Sequence, residues 1–276
     1  MRLDPRQVAL TLSDLESGTP RQWYWLEIAA LHPKAEQASS RFGLALLRRF
    51  GPAVCWRLLQ QSGVDGTALY APQVQTLQRR SRQTLQDAAL FTATLPLLLA
   101  GFQRLPATIT FVLWLGVFLG SVWQAGAVLR QIQPPAIAEP INDDEVLDEE
   151  AGPEDVVGLQ AMLVAVGISV QQAGQLITQL HTDPVLALPA LNTLLPNLPP
   201  PPPGRREHLL VALRAWLTVL LPVTLAFGWL PLLAGLALCV VWSSAIIWLS
   251  GRHRAAPLVV ASGLMSYGFG RLCHWL

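Results

Sequence analysis

Charge, cysteine and signal-peptide features are all scarce in this chain. Charged side chains make up 13% of its 276 residues, about half the share of a soluble domain, while hydrophobic residues make up 52%. That deficit excludes an ordinary water-soluble protein. The three cysteines lack metal-site spacing, so we interpret them as small buried hydrophobic residues. The first ten residues contain Asp4 and Pro5 and no apolar core, so we expect no cleavable secretory signal.

Catalytic motifs are missing from the sequence as well. It has no phosphate-binding loop, no nucleophile elbow, no paired-cysteine metal motif and no HExxH pattern. Its five histidines are scattered along the chain. We therefore expect a protein that is not an enzyme.

The charges that are present are segregated. Residues 1–86 hold eleven Arg or Lys against six Asp or Glu, whereas residues 143–155 hold eight carboxylates and no base. A basic head is thus followed, after apolar sequence, by an acidic insert.

Five apolar stretches after residue 81 have the composition of membrane helices. They are residues 88–102, which is short and contains Pro96, 107–129, 209–228, 231–249 and 256–272. They predict an all-α fold, a polytopic membrane helical bundle of about five spans. Four parts follow from this division: a cytoplasmic helical domain 1–81, spans one and two at 82–129, a helical insert at 130–207, and spans three to five at 208–276.

The two polar parts are predicted to be helical as well. In the N-terminal domain, Trp23, Tyr24 and Trp25 share one helix, as the core of a small domain or as a face that docks a partner. In the insert, three short helices are expected after Pro153, with Ser169 and Asp183 at two of their starts. Their apolar spacing predicts a small core of Leu159, Met162, Leu163, Val166, Leu176 and Leu180. Five prolines, Pro199–Pro203, then form a stiff spacer back to the membrane.

Clustered basic residues flank the predicted spans on one side, whereas the opposite loops hold only Arg104. The clustered residues are Arg79, Arg80, Arg82, Arg205, Arg206, Arg252 and Arg254. The positive-inside rule makes that side cytoplasmic, which places the N-terminus and the insert there and the C-terminus on the opposite side. The membrane is a bacterial inner membrane or an organelle membrane such as the thylakoid. Arg79, Arg80 and Arg82 can also contact anionic lipid at the membrane surface.

Three sets of residues are candidates for a functional role. Asp144 and Asp148, and Glu145 and Glu149, are four residues apart, so each pair would share a helix face and attract a divalent cation. A solvated acidic linker is the alternative. Polar residues at membrane depth, Asp87 and Gln124, are candidates for a transport path. Gly116 and Gly120 have the GxxxG spacing that allows close helix packing.

The order of these features resembles the vacuolar iron transporters over about residues 82–276. The matching segments are "GPEDVVGLQAMLVAVGISVQQAGQLITQLHTDPVLALPALNTL" in the insert, "WLPLLAGL" between spans three and four, and "IIWLSGR" followed by "ASGLMSYGFGRL" at the end. The resemblance implies five spans, a homodimeric pore and an acidic metal-binding insert. It assigns the insert site to Asp144, Glu145, Asp148, Glu149 and Glu154.

The sequence departs from that family at its transport residues. The family's span-one Asn-Asp-Gly falls near Ala89, Leu90 and Phe91, so its aspartate is replaced by Leu90, with Asp87 one turn away. The family's span-two Ser-Met pair falls near Trp123 and Gln124. The acids that close the insert's metal site from its third helix fall near Leu194 and Leu195. From these residues we expect only weak, unselective metal binding.

Two functions follow. The resemblance implies a homodimeric transporter that exports Fe²⁺ or Mn²⁺ from the cytoplasm in exchange for protons, with the metal as its cargo. The alternative is a non-transporting membrane scaffold or assembly factor that docks a protein partner through its N-terminal domain. In both cases the lipid bilayer is a partner, and no nucleic acid is expected.

Overall fold

The computed structural model describes residues 3–33, 40–131 and 158–275. Over these residues all regular secondary structure is helical, which confirms the predicted all-α class. The helices in chain order are α1 Pro5–Leu15, α2 Pro20–Leu31, α3 Arg41–Phe50, α4 Trp56–Ser62, α5 Ala71–Gly101, α6 Pro106–Gln131, α7 Leu159–Ala165, α8 Val170–Thr182, α9 Pro184–Leu194, α10 Arg205–Phe227, α11 Leu232–Leu249 and α12 Ala256–Trp275. A 3-10 helix, Thr67–Tyr70, precedes α5.

Four of the described helices are long and apolar enough to cross a membrane. They are α5 with the 3-10 helix before it, α6, α10 and α11. Such helices indicate a membrane protein, because a stretch of about 20 apolar residues matches the bilayer core. α12 is comparable in length at 20 residues but contains several glycine, serine and basic residues.

Helix α5 is longer than the short first span expected from hydropathy. It runs for 31 residues and continues through both the basic cluster Arg79–Arg82 and Pro96. The apolar stretch 88–102 therefore corresponds to the C-terminal half of one helix. The hydropathy pattern correctly located the change from polar to apolar residues after Arg82. The helix nevertheless continues through this change without a break.

The chain divides into two compact units. The first consists of the described parts of Met1–Thr76 and Ile137–Pro203, and the second of those of Leu77–Ala136 and Gly204–Leu276. The N-terminal helices and the insert helices thus belong to one unit. The sequence had predicted two separate parts, residues 1–81 and 130–207. We call the two compact units the N-terminal unit and the bundle.

The N-terminal unit is built around α1 and α2. Val8, Leu12, Tyr24, Trp25 and Ile28 are completely buried. The Trp25 ring stacks on Tyr70 with a centroid distance of 5.8 Å. Two of the three predicted core aromatic residues, Tyr24 and Trp25, therefore lie in the core, whereas Trp23 is half-buried.

The three helices predicted after the acidic stretch are present as α7, α8 and α9. The Ser169 hydroxyl caps α8 by accepting from the Gln172 backbone N–H, and Asp183 caps α9 by accepting from Val185 and Leu186. Of the predicted core residues, Leu159, Leu163 and Leu180 are fully buried, and Met162 and Leu176 are half-buried. Val166 was wrongly placed in the core: it is 53% exposed, because α7 ends at Ala165.

The buried side chains of the bundle are mostly apolar, and five helices contribute to them. One cluster joins α5, α6, α10, α11 and α12 through Ala88, Ala89, Ala93, Val117, Trp216, Val219, Leu220, Ile247 and Val259. A second joins α5, α6, α10 and α11 through Leu97, Ile109, Leu113, Val223, Phe227, Leu236 and Cys239. Residue numbers rise along α6 as they fall along α10, so these two helices are antiparallel.

Candidate functional site

The two predicted packing glycines, Gly116 and Gly120, form a notch on α6 that receives an aromatic side chain from α10. The Trp216 indole N–H donates to the Gly116 carbonyl oxygen at 3.2 Å. A methyl group at Gly120 would approach Trp216 Nε1 to 2.7 Å, and one at Gly116 would approach Phe91 Cζ to 2.6 Å. The space left by the missing side chains is therefore filled by rings from α5 and α10.

Gln124 lies on the same face of α6, one helical turn beyond Gly120. Only 5% of the residue is exposed. Because α6 and α10 are antiparallel and Gly120 meets Trp216, Gln124 lies level with the buried Ala212 one turn earlier on α10. Gln124 is therefore a buried amide on the face of α6 that packs against α10.

Asp87, the other predicted transport residue, does not share that environment. It is exposed on α5, where the positive charge of Arg80 acts on it from two helical turns earlier. Leu90, at the position of the family's aspartate, packs against the apolar cluster of Ala88, Ala89 and Ala93. Asp87 and Gln124 therefore lie in different surroundings, and Leu90 is the one of these three residues that packs against the apolar cluster.

Helices α5 and α12 also meet at glycines. Here the neighbouring atoms belong to the partner helix's backbone, whereas at Gly116 and Gly120 they belong to side-chain rings. A methyl group at Gly101 would lie 2.5 Å from the Tyr267 carbonyl oxygen, and one at Gly270 would lie 2.5 Å from the Leu98 carbonyl oxygen. Seven residues before Gly270, a methyl group added at Gly263 would lie 3.0 Å from the Ala93 carbonyl oxygen. α12 therefore runs parallel to α5 with the two backbones in direct contact. Gly263 and Gly270 share a face because seven residues make two helical turns, a spacing visible in the sequence.

The basic clusters of the bundle meet at one end. Arg252, in the turn before α12, donates to the Gln86 side chain on α5. His208, in the first turn of α10, lies close enough to Arg80 to be influenced by its charge. Arg79 and Arg82 are exposed and Arg80 is half-buried at this same level of α5. Arg80 and Arg252, which belong to two of the predicted basic flanks, therefore lie at the same end of the helices.

The predicted metal residues lie outside the described part of the chain. They are Asp144, Glu145, Asp148, Glu149 and Glu154. Within residues 3–33, 40–131 and 158–275, no three His, Cys, Asp or Glu side chains are grouped to hold a metal ion.

A polar cluster that sequence reasoning missed lies in the N-terminal unit. Arg21 Nε donates to the Glu16 carboxylate at 2.8 Å, and Tyr70 donates to the other oxygen of Glu16 at 2.9 Å. The Trp25 indole N–H donates to Tyr70 Oη at 3.2 Å. Tyr70 is 54 positions from Glu16, and the four residues follow no motif, so no sequence pattern could have grouped them.

This cluster extends to the end of the insert. Arg21 Nη1 donates to the carbonyl oxygens of Asn197 at 3.1 Å and Pro199 at 3.4 Å, and the Gln73 amide donates to the Pro201 carbonyl. A polyproline backbone has carbonyl acceptors that no internal hydrogen bond satisfies. Arg21 and Gln73 therefore fix the proline segment to the N-terminal unit.

A second buried hydroxyl supports the same unit. Tyr24 donates to the Gly66 carbonyl oxygen at 3.0 Å. Burial, with a smaller contribution from the Asp65 carboxylate, raises the pKa of Tyr24 well above its usual range. The phenol therefore keeps its proton and its role as donor at physiological pH.

Comparison with protein-family models, with curated proteins and with solved structures finds no match to this chain. The resemblance to the vacuolar iron transporters therefore stays a prediction, and functional inference depends on the geometry of these residues.

Proposed function

We propose that this chain is a non-transporting membrane scaffold whose five-helix bundle anchors a helical docking unit on the cytoplasmic side. The observation that carries this proposal is that Leu90, at the position of the family's transport aspartate, packs among the apolar side chains of the bundle. An ion that enters such an interior loses its hydration with little compensation.

The proposal treats α12 as a fifth span. With 20 residues at about 1.5 Å each, α12 is about 30 Å long, the thickness of a bilayer core. Its contact with α5 from Ala93 to Gly101 supports a path through the same depth. Five spans put the N-terminal unit and the C-terminal end on opposite sides, and the basic end of the bundle supports a cytoplasmic N-terminal unit.

A surface on the insert helices supports the docking role. Val166 and Val170 belong to the N-terminal unit and are 53% and 63% exposed. Next to them lies a shallow depression, which we call the α8 groove. It is lined by Ile168, Gln172, Gln175, Leu176, Gln179 and Leu194. Uncharged amides beside leucine suit the backbone and apolar side chains of a protein partner.

Metal uptake into proteoliposomes is the test that separates the scaffold from a transporter. The purified chain is reconstituted with Fe²⁺ or Mn²⁺ outside and with a pH gradient of either sign. We expect uptake equal to that of protein-free liposomes. Uptake above that level, abolished by Asp87→Asn, would refute the scaffold and restore the transporter.

The docking role is tested by quantitative co-purification from native membranes. A stoichiometric partner should be retained by the full chain and lost in Gln172→Lys, which places a charge in the α8 groove. Thr178→Lys is the matched control, because Thr178 is exposed on another face of the same helix. Retention of the same partner by both variants would show that the α8 groove is not the docking surface.

A further inference from the structure

Helix α3 of the N-terminal unit has a strongly basic outer face. Arg41, Arg48 and Arg49 are all exposed, and their spacing places them on one arc of the helix. With Leu44 and Ala45 they line a shallow surface depression. On the inner side only Gly43 and Leu47 are buried, so the arginines are not needed for the core.

Little of this charge is neutralised within the described part of the chain. Arg48 pairs with Asp14 at 3.7 Å, but 62% and 73% of the two side chains are exposed, so solvent screens the pair. It is the only ion pair that the three arginines form there. Arg49 lies over the Phe50 ring instead, 6.0 Å from its centroid.

An exposed aromatic ring accompanies the arginines. Phe42, beside Arg41 at the start of α3, is 67% exposed. This face of α3 therefore combines an exposed apolar ring with clustered guanidinium groups. The same combination is typical of helices that lie in a membrane interface, where the ring enters the headgroup region and the basic groups contact lipid phosphates.

We propose that α3 binds the surface of a bilayer that contains anionic lipids. The guanidinium groups of Arg41, Arg48 and Arg49 bind headgroup phosphates, and Phe42 inserts between headgroups. Because other helices of the same chain have the length and composition to cross a bilayer, that surface is present at high effective concentration. The inference depends on membrane insertion and is independent of whether the protein transports a metal or docks a partner.

Hydrogen exchange of the full chain in nanodiscs tests the proposal. One set contains phosphatidylcholine alone, and the other contains equal parts of phosphatidylcholine and phosphatidylglycerol. We expect the amides of residues 43–50 to exchange more slowly in the anionic discs, by roughly fivefold for each arginine that contacts a headgroup. High salt should remove the difference.

Variants assign the effect to this face. The triple variant Arg41→Gln, Arg48→Gln, Arg49→Gln should exchange equally fast in both discs, and the corresponding Lys variant should keep most of the protection. Arg57→Gln is the matched control, since Arg57 is exposed on α4. Unchanged exchange of α1 and α2 verifies folding. Equal exchange of wild-type α3 in the two discs, as expected if a protein partner covers this face, would overturn the proposal.

Discussion

Arg21 donates a hydrogen bond to the backbone carbonyl of Asn197, a residue 176 positions further along the chain. The same guanidinium is paired with Glu16, and only 8% of Arg21 is exposed. The proline segment between the insert and α10 is therefore held against the N-terminal unit at its start, whereas its sequence indicated a spacer only.

Replacing Arg21 should destabilise the N-terminal unit. Arg21→Gln removes the cation paired with the Glu16 carboxylate, whose side chain is only 17% exposed, and this costs roughly 3 kcal/mol. We expect correspondingly faster hydrogen exchange of α1 and α2 in the detergent-solubilised full chain. Exchange in the bundle helices should stay unchanged.

Two companion variants make this prediction specific. Arg48→Gln removes an exposed ion pair with Asp14 and should cost about 0.5 kcal/mol or less. Adding Glu16→Gln to Arg21→Gln should recover part of the loss, because no unpaired charge then remains buried. Equal effects of Arg21→Gln and Arg48→Gln would contradict a buried clamp.

The contact between α5 and α12 should tolerate no added methyl group at Gly270. Gly270→Ala would bring Cβ to 2.5 Å from the Leu98 carbonyl oxygen, so the backbones must separate. Overpacking of this kind costs about 1–3 kcal/mol and should lower the thermal unfolding midpoint in detergent. Gly268→Ala is the control on the same helix, because a methyl group there meets no atom within 4 Å. Similar midpoints for the two variants would exclude the backbone contact.

Alanine substitution should have different effects on stability at two glycines of α6, Gly120 and Gly126. Gly120→Ala collides with the Trp216 indole, whereas Gly126→Ala meets nothing within 4 Å. We expect only the first to lower the unfolding midpoint, by an amount equivalent to about 1–3 kcal/mol. Combining Gly120→Ala with Trp216→Phe should cost less than the sum of the two changes, since the smaller ring makes room for the methyl group. Strict additivity would show that Trp216 does not occupy the notch.

Metal binding by the acidic stretch should be weak and salt-sensitive. The residues expected to close a site from the third insert helix are Leu194 and Leu195, and Leu195 is buried in the N-terminal unit. Leucines at those two positions leave the expected site with fewer oxygen ligands for a divalent cation. Calorimetry should therefore find little preference for Fe²⁺ over Ca²⁺ or Mg²⁺. Tight Fe²⁺-selective binding, lost when Asp144, Glu145, Asp148 and Glu149 are changed to their amides, would contradict this.

Features governed by neighbouring residues were predictable from the sequence. Ser169 and Asp183 cap helices because their side chains reach backbone N–H groups two or three residues away. The turn between α10 and α11 was predicted from Gly228 and Pro231, which are the C-cap of α10 and the N-cap of α11. Helix class and order were therefore correct over the described residues.

Features that join distant residues were not predictable in the same way. GxxxG spacing identified Gly116 and Gly120, but the side chain that fills their notch comes from a helix about a hundred residues later. The glycines that bring backbones together, Gly101 and Gly270, lie on the first and last bundle helices and share no local pattern. The burial of Arg21 likewise depends on residues that only folding brings near.

The pairing of α5 with α12 also has a consequence for biosynthesis. α5 is the first bundle helix to leave the ribosome, and Gly270, which covers Gly101, is translated 169 residues later. Until then, the carbonyls of Ala93 and Leu98 face lipid or insertion machinery in place of glycine. Closure of the bundle must therefore follow translation of Gly263 and Gly270, and a nascent chain stalled before Ala256 holds an open groove along α5.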